Sequence, residues 1–292
     1  MGWNFALDYS KLNQLALAFK GGITGNNSGK RLTNKYGASL EFADFRQYIP
    51  GDDVRRIDWS LYGRSQRLYT KLNRSEVDAT INIVVDGSKS MDYGNPHKGL
   101  RAMELALSFA YISLKAYDRV SVAVGVKGLE NYLAPVHGIQ SYNKILRFME
   151  NLEFNGTGNL NGSLNSLKKV LKPKQVTLVF SDFLDEEGYQ QGINKLIEMK
   201  QDVWVFQMAS PEEIDPDFKG GLKLLDSETG KAKDVDMDYW TVGAYKEAFN
   251  EHSNSIKEFC TNRGINYVFV NSQQNSLEVL HSIKNNVTTG KL

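Results

Sequence analysis

The chain is 292 residues long, enough for about two domains or one large one. Hydrophobic residues make up 41% and charged residues 24%, which excludes wholesale disorder and collagen-like repeats, and the single Cys260 excludes an intrachain disulfide and a cysteine-based zinc or iron–sulfur site. With 35 Lys and Arg against 34 Asp and Glu the net charge is +1, so the chain as a whole is not a nucleic-acid polycation.

The opening stretch lacks a basic start, carries Asp8 early and has no small-residue cleavage site, so no targeting signal is read there. Leu12–Phe19 predicts a short helix, Gly21–Gly29 a Gly/Asn-rich loop, and Ser39–Phe45 and Leu68–Leu72 two strand-like pieces. Residues 1–75 hold 12 basic and 6 acidic side chains, a net of +6, whereas residues 76–292 hold 23 and 28, a net of −5. Mutual attraction of the two parts explains this asymmetry more simply than a nucleic-acid arm does.

From about Thr80 strand and helix signals alternate. Ile81–Val85, Val120–Val126, Val176–Phe180, Val203–Met208 and Ile265–Val270 are short, β-branched and nearly continuous in apolar character, as strands buried on both faces of a parallel sheet are. Between them lie helix-period runs. The first, Leu100–Leu114, is apolar nearly all round and is expected to be central. Others run through Tyr142, Ile145 and Met149, through Leu160, Leu164 and Leu167, and through Tyr245, Phe249 and Ile256. Leu100–Leu114 is broken by Arg101 and Glu104, so nothing reaches the ~18 uninterrupted apolar residues of a membrane span.

This order predicts a doubly wound α/β domain with a mostly parallel sheet over residues 76–292, and ligands at the carboxyl ends of its strands. Residues 1–75 are expected as an N-terminal extension packing on it, and the acidic stretch 211–238 as a hairpin insertion turning at Asp226–Gly230. The expected setting is cytoplasmic.

The strongest chemical signal is Ile83-Val84-Val85-Asp86-Gly87-Ser88-Lys89-Ser90-Met91. An apolar strand runs into a carboxylate followed by two hydroxyls at two-residue spacing, a set of hard oxygen donors that suits Mg²⁺ or Mn²⁺. Two more donors are expected from other strand ends. These are Thr157 in a Gly-rich loop, with Thr177 and Ser181 as nearby alternatives, and Asp182 after the Val176–Phe180 strand. Asp86-x-Ser88-x-Ser90, Thr157 and Asp182 resemble the metal-ion-dependent adhesion site of von Willebrand factor type A domains. That resemblance implies direct ligation by the Ser and Thr hydroxyls, aspartates acting through water, and an acidic side chain from a protein partner completing the shell.

A second signal is Arg46-Gln47-Tyr48-Ile49-Pro50-Gly51-Asp52-Asp53-Val54-Arg55-Arg56-Ile57-Asp58-Trp59. Pro50-Gly51 predicts a tight turn. The interleaved carboxylates and arginines predict a local ion-pair cluster rather than a catalytic site, because arginine neighbours hold carboxylates ionised. This segment, lying ahead of Asp86-Gly87-Ser88-Lys89-Ser90-Met91, and the later Ser181-Asp182-Phe183 and Ala209-Ser210-Pro211-Glu212-Glu213 resemble a bacterial family, domain of unknown function 58. Membership implies a metal-dependent adaptor or assembly factor working with a MoxR-type AAA+ ATPase.

Enzyme readings fare worse. Gly25-Asn26-Asn27-Ser28-Gly29-Lys30-Arg31 has too short a glycine spacing for a phosphate loop, and Arg31 replaces the hydroxyl that would meet Mg²⁺. A haloacid-dehalogenase-type phosphotransferase needs an acid where Ser88 stands. The expectation is therefore a non-enzymatic module, with a metal-dependent hydrolase built on the same Asp/Ser/Thr set as the alternative. His97, His137, His252 and His281 show no ligand spacing, and His97 is expected as a helix-entry residue.

Overall fold

The computed structural model describes residues 3–18, 32–33, 42–73, 75–76, 79–125, 131–156, 159–216, 220–225, 232–237 and 239–289. In chain order its elements are α1 (Tyr9–Ala18), β1 (Leu32–Thr33), β2 (Phe42–Gln47), α2 (Trp59–Ser65), β3 (Tyr69–Asn73), β4 (Ser75–Glu76), β5 (Thr80–Asp86), α3 (Lys98–Lys115), β6 (Arg119–Gly125), β7 (Tyr132–His137), α4 (Tyr142–Glu150), α5 (Leu160–Leu167), β8 (Val176–Ser181), α6 (Gln190–Glu198), β9 (Asp202–Ala209), α7 (Pro211–Ile214), β10 (Gly220–Leu225), β11 (Ala232–Met237), α8 (Tyr239–Thr261), β12 (Asn266–Asn271) and α9 (Ser276–Thr289). They fall into two compact units, residues 1–25 with 79–292 and residues 26–78.

The larger unit is built on a six-stranded sheet in the order β12-β9-β8-β5-β6-β7. Every pairing is parallel except β6 with β7. Alternation along the buried strands splits the core into two layers. Ile81, Ile83 and Val85 of β5 face one layer with Phe180, Trp204 and Phe206 and with residues of α1, α3, α4 and α9. Val84, Val179 and Val205 face the other, with Leu164, Ile193, Ile256 and Cys260 of α5, α6 and α8. Helices cover both faces, so the doubly wound, mostly parallel α/β fold expected from the strand pattern is the observed one.

Helix α3 is the centre of the first layer, with Ala102–Leu114 all buried. The two charges that interrupt its apolar run satisfy each other: Arg101 Nη1 lies 2.5 Å from Glu104 Oε2. Glu104 Oε1 also accepts the Ala6 amide at 2.9 Å, and the Trp3 indole donates to the Leu152 carbonyl at 2.7 Å. Leu12 and Leu15 of α1 are buried in the same layer. The described residues 3–18, which belong to the expected extension, thus pack on α3 and its neighbours within the sheet unit.

The smaller unit pairs β2 with β3 and β1 with β4, both antiparallel. The Pro50-Gly51 turn closes with Asp52 N donating to Ile49 O at 3.0 Å, and Gly51 sits at φ +107, where a glycine is needed. The expected ion-pair cluster is present: Arg46 Nη2 meets Asp52 at 2.7 and 2.8 Å, and Arg55 meets Asp53 at 3.1 Å. Asp58 instead caps α2, accepting the Leu61 amide at 2.9 Å.

Within the stretch expected as a hairpin, β10 pairs with β11 in antiparallel register. The Asp226–Gly230 turn and the Gly21–Gly29 loop lie outside the described residues. Among the described residues no helix is long and apolar enough to cross a membrane.

Candidate metal centre

Strand β5 enters the middle of the sheet, the chain winds outward through β6 and β7, and then returns to place β8 on the opposite side of β5. The strand order thus reverses between β5 and β8, and a doubly wound sheet opens its crevice at the carboxyl ends of such a pair. Asp86 ends β5 and Ser181 ends β8, with Val85 opposite Phe180 in register.

Asp86 is buried and held from two sides. Its Oδ1 accepts the Ser88 amide at 2.9 Å, and its Oδ2 accepts the Ser181 hydroxyl at 2.5 Å. Burial, and next the charge of Asp182, push the Asp86 carboxyl up to about 6, against the opposing pull of these hydrogen bonds. The Ser88 and Ser90 hydroxyls lie 2.9 Å apart. Ser88 is also bridged to Gly156, with Lys89 N donating to Gly156 O at 3.0 Å and Gly156 N to Gly87 O at 3.1 Å. Thr157 itself lies outside the described residues, but the residue before it is pinned to the Asp86 loop. At the far end of that Gly-rich loop, Leu160 N donates to Asp185 Oδ2 at 2.6 Å, which anchors it to the segment after β8.

Asp86, Ser88 and Ser90 are therefore brought together, and Asp182 reaches them through its neighbour Ser181. Two further residues of this edge escape sequence reasoning. Lys98, the first residue of α3, is fully buried, and its Nζ donates to Asp182 Oδ2 at 2.8 Å and to Glu213 Oε1. Burial pulls the Lys98 ammonium down, but the charges of Asp182 and Glu213 outweigh it and leave it raised, so it is a cation at neutral pH. Glu213 belongs to a capping box: its Oε2 accepts the Ser210 amide at 2.7 Å, and Ser210 Oγ accepts the Glu213 amide at 3.3 Å. The one available signal was a lysine at a helix N-terminus, where the helix dipole disfavours a cation unless carboxylates surround it. His97 behaves as expected at a helix entry, with Nδ1 accepting the Leu100 amide at 3.0 Å and Nε2 meeting Asp92 at 2.9 Å.

The donor chemistry fits a small divalent cation. Oxygens on adjacent corners of an octahedron with ~2.1 Å bonds lie about 3.0 Å apart, and the two serine hydroxyls already have that spacing. Three buried or partly buried carboxylates, Asp86, Asp182 and Glu213, face one ammonium, Lys98, so these four groups sum to a formal charge of −2. Among the described residues no group of three or more His, Cys, Asp or Glu side chains is arranged to hold a metal, so an ion here would rest on hydroxyls and few carboxylates.

Similarity to known proteins covers most of the chain. Uncharacterized proteins of Mycobacterium tuberculosis and Mycobacterium bovis are 23% identical over 232 residues, which is 78% of this chain and 73% of theirs. Among solved structures, the conserved hypothetical protein BatB from Bacteroides thetaiotaomicron aligns over 72% of this chain and 98% of its own, at 14% identity and a TM-score of 0.45. An aerotolerance-related membrane protein from Bacteroides fragilis aligns over 72% and 99%, at 15% identity and a TM-score of 0.43. The family model described as protein of unknown function DUF58 matches residues 44–255, spanning the Pro50-Gly51 segment, the Asp86 loop and the Ser210 capping box, and the chain belongs to that family.

Proposed function

We propose that this chain is a protein–protein interaction module with a von Willebrand factor A-like domain. In this reading its carboxyl edge holds Mg²⁺ or Mn²⁺ on Ser88 and Ser90, with Thr157 as the third hydroxyl. Asp86 and Asp182 act in support. When bound, the ion supplies a Lewis-acidic position that an Asp or Glu of a partner protein completes. The observation that carries the reading is the Ser88–Ser90 hydroxyl spacing of 2.9 Å beside the buried Asp86, at the point where the strand order reverses. Asp86 accepts from Ser88 N and Ser181 Oγ, which ties its carboxylate to the loop and to the end of β8. The partner expected from the family resemblance is a MoxR-type AAA+ ATPase in the cytoplasm, with this chain as its adaptor or assembly factor.

Calorimetric titration with Mn²⁺ tests the first half. One ion per chain is expected, with binding lost in Ser88→Ala/Ser90→Ala, and an absence of binding by the wild type rejects the reading. Capture of the purified ATPase of the same organism in Mg²⁺ but not in EDTA tests the second.

The rival reading is a metal-dependent hydrolase, favoured by one observation: a carboxyl held near 6 suits general acid–base work at neutral pH. Mn²⁺-dependent turnover of phosphate or carboxylic esters, abolished by Asp86→Ala, assigns the hydrolase instead.

A further inference from the structure

Lys98 is an unusual residue to find without solvent. A lysine is almost never fully buried unless paired, and groups from three loops at the carboxyl edge meet this one. Asp182 comes from the loop after β8 and Glu213 from α7 after β9. The Tyr93 ring, from the loop after β5, lies with its centroid 6.0 Å from Nζ. The loop after β12 ties down the segment that leads into Lys98, with Ser272 Oγ donating to the Pro96 carbonyl at 2.6 Å. The 92–97 loop is pressed onto α7. Asn95 N donates to Glu212 Oε1 at 3.1 Å, and a Cβ on Gly94 would stand 2.3 Å from the Ser210 Cβ. The ammonium is thus fixed by its surroundings and cannot swing away into water.

Its position has an electrostatic consequence. Asp182 is the residue whose charge acts on Asp86, and Lys98 is the cation that sits on Asp182. Lys98 lies against both Asp182 and Glu213, so the Glu213 charge offsets part of the positive potential that the ammonium places on this edge.

We propose that Lys98 is a fixed internal cation that tunes the divalent-ion affinity of the Asp86/Ser88/Ser90 edge through Asp182, with Glu213 as its counterweight. This rests on the metal reading above and adds to it two positioning residues that act with opposite signs. Removing the ammonium leaves Asp182 unopposed and makes the edge more negative. Neutralising Glu213 leaves the ammonium less compensated and makes the edge less negative.

The test is Mn²⁺ affinity, read by calorimetry or by the electron paramagnetic resonance of free Mn²⁺, in the wild type, Lys98→Met and Glu213→Gln. Glu213→Gln keeps the side-chain shape, and glutamine serves at this capping-box position as glutamate does. It is expected to weaken Mn²⁺ binding by about tenfold, the size of one unit charge acting across a partly screened interior. Lys98→Met is expected to tighten binding by a similar factor and to gain more thermal stability from Mn²⁺ than the wild type does. A purely structural role for Lys98 predicts no such opposition of sign. If Lys98→Met does not fold, Glu213→Gln decides alone: weaker binding supports the proposal, and unchanged or tighter binding overturns it. Affinities that move together, or stay put while Ser88→Ala/Ser90→Ala abolishes binding, overturn the proposal and leave the metal reading standing. A wild-type chain that binds no Mn²⁺ overturns both.

Discussion

Lys98 with Asp182 and Glu213 in the larger unit, and Arg46 with Asp52 in the smaller one, are built from the same chemistry and differ in their access to water. The lysine and Asp182 are buried, whereas the Arg46 side chain keeps 41% of its surface exposed. Exposed pairs exchange one set of hydrogen bonds for another and contribute little. Buried pairs have no water to fall back on, so losing one partner strands the other. The comparison teaches that the conspicuous run of alternating Asp and Arg around residues 46–58 marks a solvent-accessible turn and helix cap. The energetic weight lies with one inconspicuous lysine.

Three substitutions press on that difference. The largest effect is expected for Lys98→Met in EDTA, about 3–5 kcal/mol of lost stability in urea denaturation, because Asp182 and Glu213 are left facing each other without a cation. A loss below about 1 kcal/mol would erase the contrast between the two clusters. An intermediate effect is expected for Gly94→Ala. Gly94 sits at φ +90 against Ser210, so an added methyl must push the 92–97 loop off α7, costing about 1–3 kcal/mol. The same substitution should loosen the wall around Lys98, seen as faster amide exchange at Glu213. The smallest effect is expected for Asp52→Asn, under about 1 kcal/mol and shrinking further in high salt.

Strands β5, β6, β8 and β9 were legible because burial on both faces leaves an almost unbroken β-branched run, as in Ile81–Val85. Strand β7 was not. It lies at the antiparallel margin, and Pro135, exposed there with Ala134, interrupts its short apolar stretch with a residue that argues against a strand. Helices α6 and α9 also escaped prediction. Ile193 and Leu196 are the only large apolar side chains fully buried on α6, too few to set a period against its polar neighbours. At the candidate site, Asp86, Ser88 and Ser90 were visible because a strand end and its turn are contiguous in sequence. Lys98 and Glu213 are 115 residues apart, and each reads locally as an ordinary surface residue at a helix start. Only the return of the chain across β5 brings them together.

Trp3 stands at the entry of the same helix. Its ring meets the His97 imidazole edge-on at 5.1 Å between centroids and Phe154 at 5.7 Å, one residue from Lys98. The chain therefore carries an optical reporter where α3 begins: indole emission is sensitive to an adjacent imidazole, and a ring held by the Leu152 carbonyl cannot drift from it. Displacement of the α3 start should appear as a change in Trp3 fluorescence with no dye attached, once the other three tryptophans are replaced by phenylalanine.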